Sequence, residues 1–128
     1  MNGKVKVTLR DVIGALEGAA IRAKAYQGSG SSDDMVDRMV ENLAEELQTS
    51  LVQLRYYTKP ATEGTLTEGK GGRFELCGHE LTCGFPIELY LEDRWEAGRV
   101  EYTGNKGYYF YGPGEPTLEV GMRGRLRE

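Results

Sequence analysis

The apolar residues of this 128-residue chain change their spacing at Pro60, and that change limits what the chain can fold into. Before it, Leu9, Val12, Ile13, Leu16, Ala20 and Ala23 recur at intervals of three and four. So do Val36, Met39, Val40, Leu43, Leu47, Leu51 and Leu54. This is the spacing of amphipathic helices. It predicts helices over about 8–25 and 33–56. Thr8 or Asp11 is the expected cap of the first, and Ser32 or Asp33 of the second. Gly28 to Ser32, GSGSS, reads as a flexible connector. A connector this short favours an antiparallel hairpin, with the apolar stripes turned toward each other or toward the rest of the chain.

Pro60 disfavours helix in the residue before it. Beyond it, short β-like runs alternate with glycine turns, and 15 of the 18 glycines lie at or after Gly28. Strands are expected near Gly64–Thr67, Arg73–Cys77, Ile87–Leu91, Arg94–Tyr102, Gly107–Tyr111 and Met122–Arg127. The fold class is therefore α+β: an N-terminal two-helix hairpin over 1–58, then a small antiparallel SH3-like β-barrel over 59–128. Closure of a barrel would protect the edges of such short strands.

Charge is unevenly spread. The net charge is −4, residues 33–54 alone carry six acids against one base, and residues 1–24 carry five bases against two acids. The whole chain gives no general case for nucleic-acid binding. It holds no run of 18 apolar residues and no apolar stretch typical of a secretion signal, so no membrane association is expected and the cytoplasm is the expected location. The two cysteines suit that reducing compartment.

Residues from about Tyr56 to Arg127 resemble a family of uncharacterised small β-domain proteins of bacteria and their mobile elements. The resemblance rests on Glu63-Gly64-Thr65-Leu66, Gly72-Arg73-Phe74, Glu80-Leu81-Thr82-Cys83-Gly84, Pro86-Ile87-Glu88, Trp95, Val100-Glu101-Tyr102 and Tyr108-Tyr109. It implies a small β domain behind a variable helical N-terminus. It also implies a genetic home near plasmids, phages or conjugative elements, where small proteins often act by binding.

Four clusters carry candidate chemistry. Cys77, His79 and Cys83 have the ligand types zinc prefers but lack a fourth ligand, so no metal is expected. His79 is the only histidine, and Gly78-His79-Glu80 reads as a hairpin turn, so no catalytic residue is assigned. Glu88, Glu92, Asp93, Glu96 and Glu101 read as solvated outer carboxylates. Tyr108 to Tyr111 puts aromatics on both faces of one strand. One pair fills the core, while Tyr109 and Tyr111 serve as a binding surface, a stacking platform, or a face covered by the helices.

Arg123, Arg125 and Arg127 alternate, so they share a strand face and can hold phosphates or a carboxylate partner. On a terminal edge strand such charges more commonly deter pairing. On the second helix, Asp34, Asp37, Glu41 and Glu45 form one acidic row. The plain reading is a solvated face, partly neutralised by Arg10, Arg22 and Lys24 of the first helix. The sharper reading is a mimic of a phosphate backbone.

The expected function is non-catalytic binding without a cofactor: an anti-defence, anti-CRISPR-like inhibitor that meets a nucleic-acid-handling effector, such as a CRISPR nuclease, through the acidic row. The alternative is a nucleic-acid-binding accessory module using the aromatic strand and the arginine row. The sequence leaves the oligomeric state open, a dimer included.

Overall fold

Thr8 ends an extended stretch and starts the first helix, α1 (Leu9–Ala25). Its hydroxyl accepts from the Asp11 amide while the Asp11 carboxylate accepts from the Thr8 amide, a reciprocal capping box. The Thr8 amide, and then its hydroxyl, hold the Asp11 carboxyl below its ordinary pKa. The computed structural model describes residues 6–27 and 34–128. The expected connector and the Ser32 or Asp33 cap lie outside the described residues. The second helix, α2 (Asp34–Tyr57), has Asp34 and Asp37 in its first turn and Arg55 in its last, each complementing the helix dipole.

The chain divides into two compact units, Met1–Thr58 and Lys59–Glu128. In the first, α1 and α2 pack antiparallel. Tyr26, just past α1, donates to Asp37 near the start of α2 (3.1 Å), and Glu17 pairs with Arg55 near its end. Ala20 and Leu51 are buried at the contact, with Ile13, Leu16, Val40 and Leu47 half-buried around them. The apolar stripe of α2 is wider than this contact. Val36, Met39 and Leu43 remain exposed.

The second unit holds two antiparallel sheets built from β1 (Ala61–Thr65), β2 (Thr67–Glu68), β3 (Phe74–Leu76), β4 (His79–Glu80), β5 (Pro86–Leu91), β6 (Arg94–Thr103), β7 (Gly107–Tyr111) and β8 (Arg123–Arg127). The larger sheet has the order β1-β8-β5-β6-β7 and the smaller the order β2-β3-β4. Alternation along the strands sends Ile87, Leu89, Val100, Phe110 and Leu126 into one core with Leu66, Leu76, Leu81 and Leu118. The fold is thus α+β, a helix pair followed by antiparallel sheets.

The larger sheet is open, with β1 and β7 as its outer strands, where sequence reasoning expects a closed barrel. The β7 edge is covered another way. The Phe110 amide donates to the Pro116 carbonyl (2.9 Å) and the Leu118 amide to the Tyr108 carbonyl (3.0 Å), so the segment after β7 folds back along it. A second difference concerns β8. It is not the edge strand expected for the arginine row; it lies between β1 and β5. A third is the turn near His79. The turn is Cys77-Gly78, both at positive φ (53° and 81°), and His79-Glu80 is strand.

Leu91 pairs with Arg94, so Glu92-Asp93 is a two-residue hairpin loop with both φ values positive, 49° and 66°. That geometry favours Asn-Gly, and a non-glycine residue in it costs about 1–2 kcal/mol. Replacing Glu92→Asn together with Asp93→Gly is expected to stabilise the β unit by about 0.5–1 kcal/mol, after glycine's entropic cost is subtracted. Thermal unfolding followed by the single tryptophan, Trp95 on β6, reads the β unit directly. The expected rise is several degrees; a fall would contradict the turn assignment.

Candidate interaction surfaces

The outer face of the larger sheet follows from strand register. Glu63 on β1 stands opposite Arg125 on β8, Arg125 opposite Glu88 on β5, and Glu88 opposite Ala97 on β6. One row across four strands therefore holds Glu63, Arg125, Glu88 and Ala97. Its neighbours along the strands are Arg123, Arg127, Tyr90 and Trp95.

Glu88 is the only buried charged residue among those described. Arg125 donates to its Oε1 from Nε (3.0 Å) and Nη2 (2.8 Å). Arg127 donates from Nε to Oε2 (2.8 Å) and from Nη2 to Oε1 (3.2 Å). Its remaining Nη1 donates to the Lys59 carbonyl (2.8 Å). Burial raises the Glu88 pKa. Hydrogen bonds from Arg127 and Arg125, with the charges of both, outweigh it and hold the carboxyl below its ordinary value. The expectation of a solvated Glu88 is thus corrected. The central place of β8 brings two guanidiniums over it, and paired charges are the form in which a carboxylate is buried.

Aromatic rings complete the patch. Arg125 lies 4.2 Å from the Trp95 ring centroid, and Arg123 lies 4.6 Å from Tyr90 and 5.2 Å from Trp95. Arg123 also pairs with Glu63 (3.2 Å). All three arginines of the row are thus engaged within the sheet, two on one carboxylate and one on another, with two of them stacked on rings. The strand alternation that puts them together is legible in the sequence. Glu88, the partner of Arg125 and Arg127, is 37 and 39 residues away, where the sequence alone suggests a solvated carboxylate. The available signal was that three alternating arginines require counter-charges on neighbouring strands.

Farther across the same face, Tyr111 is exposed and Tyr109 half-buried, while Phe110 and Tyr108 face the core. Arg99 sits 4.3 Å from the Tyr111 ring centroid and Lys106 4.9 Å from that of Tyr109. Arg99 also pairs with Glu101 (2.6 Å), and Arg94 with Glu96 (2.7 Å).

The acidic row is in the helical unit. Asp34, Asp37, Glu41 and Glu45 line a groove of about 740 Å³, with Lys24 and Tyr26 across from them. Asp37 accepts from Tyr26, and Asp34 pairs with Arg38 (3.4 Å). Glu41 and Glu45 have no hydrogen bond or ion pair among the described residues. The neutralisation expected from Arg10, Arg22 and Lys24 is not made by direct ion pairs among those residues. The described pair between the helices runs the other way, from Glu17 on α1 to Arg55 on α2.

His79 Nε2 lies 2.9 Å from Glu128 Oε1, and Cys77 Sγ lies 3.6 Å from the Thr62 carbonyl. Both cysteines are exposed thiols. Among the described residues no three side chains of the metal-ligating types gather into a site. No helix there is long and apolar enough to cross a membrane.

Residues 64–126 match the family described as Domain of unknown function (DUF5348). That stretch runs from β1 into β8 and takes in Glu88, Trp95, Arg123 and Arg125, while both helices lie outside it. The chain matches no curated protein and no solved structure.

Proposed function

We propose that the chain is a non-catalytic binding protein that docks into the basic nucleic-acid channel of a protein partner through the acidic row of α2. The observation that carries this reading is Glu41 and Glu45, two exposed carboxylates one turn apart with no cation on either among the described residues, in line with Asp34 and Asp37. At this spacing neighbouring Cβ atoms stand about 5–6 Å apart, so the row presents about one carboxylate per turn, in the manner of phosphates along a strand. Like charges so placed destabilise a helix by about 0.2–0.5 kcal/mol per pair, which a basic partner would relieve. The β unit supports the reading from the other side, because Arg123, Arg125 and Arg127 are already paired with its own carboxylates Glu63 and Glu88. The setting this fits is an anti-defence protein of a mobile element, with a CRISPR nuclease as the effector.

Direct nucleic-acid binding is the second reading. It is favoured by the Arg99–Tyr111 and Lys106–Tyr109 pairs, which offer stacked rings beside cations near the outer strand.

Replacing Glu41→Gln and Glu45→Gln separates the two. Asp37 is left intact because Tyr26 donates to it. Surface changes of this kind move stability by less than about 0.5 kcal/mol each, so the helix pair should keep its circular dichroism. In a cleavage assay with a guide-loaded CRISPR nuclease, the wild type is expected to inhibit and the double variant to lose at least tenfold in potency. A double variant with undiminished inhibition would remove the acidic row from the function. Binding to single-stranded nucleic acid without the nuclease, lost in Tyr111→Ala, would establish the second reading instead.

A further inference from the structure

Small side chains leave a trough along the helix pair. Ala20 and Ala23 of α1, with Val40 and Ala44 of α2, line its apolar part. Ala20 is buried and the other three are half-buried, so they form a floor. The groove above them, about 740 Å³, has the size of a ligand site, about 300–1,000 Å³.

The rim is charged, with four acids against two bases. Arg38 is held by Asp34 (3.4 Å), and Lys24 on the α1 side makes no ion pair with Glu41 or Glu45 among the described residues. Tyr26 stands in the same groove, 43% exposed, and its hydroxyl donates to Asp37 (3.1 Å), which fixes the ring.

We propose that this groove takes an arginine side chain of the protein partner. Its methylenes lie on the alanine floor, its guanidinium bonds Glu41 and Glu45, and the Tyr26 ring is its stacking surface. The inference rests on the docking through α2 proposed above and names what the partner places there. A mimic of phosphate charge needs only the acidic row, and the trough beside that row is additional. A lysine ammonium, a strongly hydrated point charge, gains little from a methyl floor or a ring. A guanidinium is planar and more weakly hydrated, stacks on aromatic rings, and has five donors with which to reach two carboxylates at once. Net negative charge, an apolar floor and a fixed ring in one groove match the guanidinium.

The probes are a nona-arginine and a nona-lysine peptide, equal in charge, titrated calorimetrically into the full chain at about 0.15 M salt, where long-range attraction is screened. The wild type is expected to bind the arginine peptide at least about threefold more tightly, the factor that an exposed cation–ring contact supplies. Ala23→Leu with Ala44→Leu fills the groove without touching a charge, and is expected to bring the two peptides to parity. Equal binding of both by the wild type overturns the inference, and so does a preference that persists in the filled variant.

Should the filled variant lose helicity, the wild type itself decides. With its alanine methyls isotope-labelled, nona-arginine is expected to shift the resonances of Ala20, Ala23 and Ala44 and to leave those of Ala61 and Ala97 in place. Shifts confined to other alanines overturn the inference. The two readings also fail separately. A folded filled variant that inhibits the nuclease as well as the wild type overturns the arginine site and leaves the acidic row. An arginine preference lost on filling, with no nuclease inhibition by the wild type, keeps the site and removes the nuclease as its partner.

Discussion

Replacing Glu88→Gln is expected to destabilise the β unit by about 3–5 kcal/mol, the usual cost of removing one partner from a buried ion cluster. The side chains of Glu88, Arg127 and Arg125 are 7%, 12% and 21% exposed, so solvent screens this cluster less than an ordinary surface pair. Glutamine keeps the shape but not the charge, and leaves two guanidiniums facing a neutral amide. The same comparison has a pH signature. The Glu88 carboxyl is held below its ordinary value, so its contribution is fully present above the unfolded glutamate pKa of about 4.3. It is lost as pH falls through the lower folded value. The stability difference between wild type and Glu88→Gln should therefore be constant near neutrality and shrink below about pH 4.

A companion variant separates charge from packing. Glu88→Leu with Arg125→Met and Arg127→Leu removes the cluster whole, and it is expected to recover most of the loss, since buried ion clusters are often replaceable by apolar groups of similar volume. Urea unfolding followed by Trp95 fluorescence and checked by circular dichroism measures all three proteins. A loss under 1 kcal/mol for Glu88→Gln would show that the clamp is solvated and leave the arginine row available to an outside anion.

Local pattern carried much of this fold into the sequence, and long-range pairing did not. The period of three and four placed α1 and α2 to within a residue of the described bounds, and period two placed β5, β6, β7 and β8 almost as closely. Strand order has no such local signature. The place of β8 between β1 and β5 makes Arg125 a clamp on Glu88 where an edge strand would have left it facing solvent. Cys77 is a local failure of another kind. A cysteine at φ 53° carries no turn signal, so the sequence points to Gly78-His79-Glu80 as the hairpin turn and misses β4. The open sheet has a similar cause, because closure and a fold-back over β7 both protect an edge, and only the contacts of Pro116 and Leu118 tell them apart. For the acidic row, spacing gives the shared face and the Arg38–Asp34 pair four residues apart on it, while the bond from Tyr26 to Asp37 comes only from the packed helices.

The other large effect is expected at Phe110, the largest fully buried side chain of the core. Phe110→Ala should cost about 3–5 kcal/mol through lost burial and the cavity it leaves. The ring lies against two glycines, which makes a sharper test. A Cβ at Gly112 would meet the ring at 2.5 and 2.8 Å and the Ala97 carbonyl only at 3.1 Å. A Cβ at Gly98 would meet the ring at 2.8 Å but the Tyr111 carbonyl at 2.4 Å. Each Gly→Ala change overpacks the core and should cost about 1–3 kcal/mol, with Gly98 at the upper end because backbone cannot rotate away. Phe110→Leu shrinks the ring and removes its share of each clash, but not the clash with the Tyr111 carbonyl, which joins β6 to β7. In double-mutant cycles, Phe110→Leu should therefore offset much of the Gly112→Ala loss, with a favourable coupling of about 1 kcal/mol or more. It should rescue little of the Gly98→Ala loss. Equal rescue at both positions would mean that β6 and β7 separate more easily than their register implies, and that the Phe110 ring alone sets how closely the two strands approach.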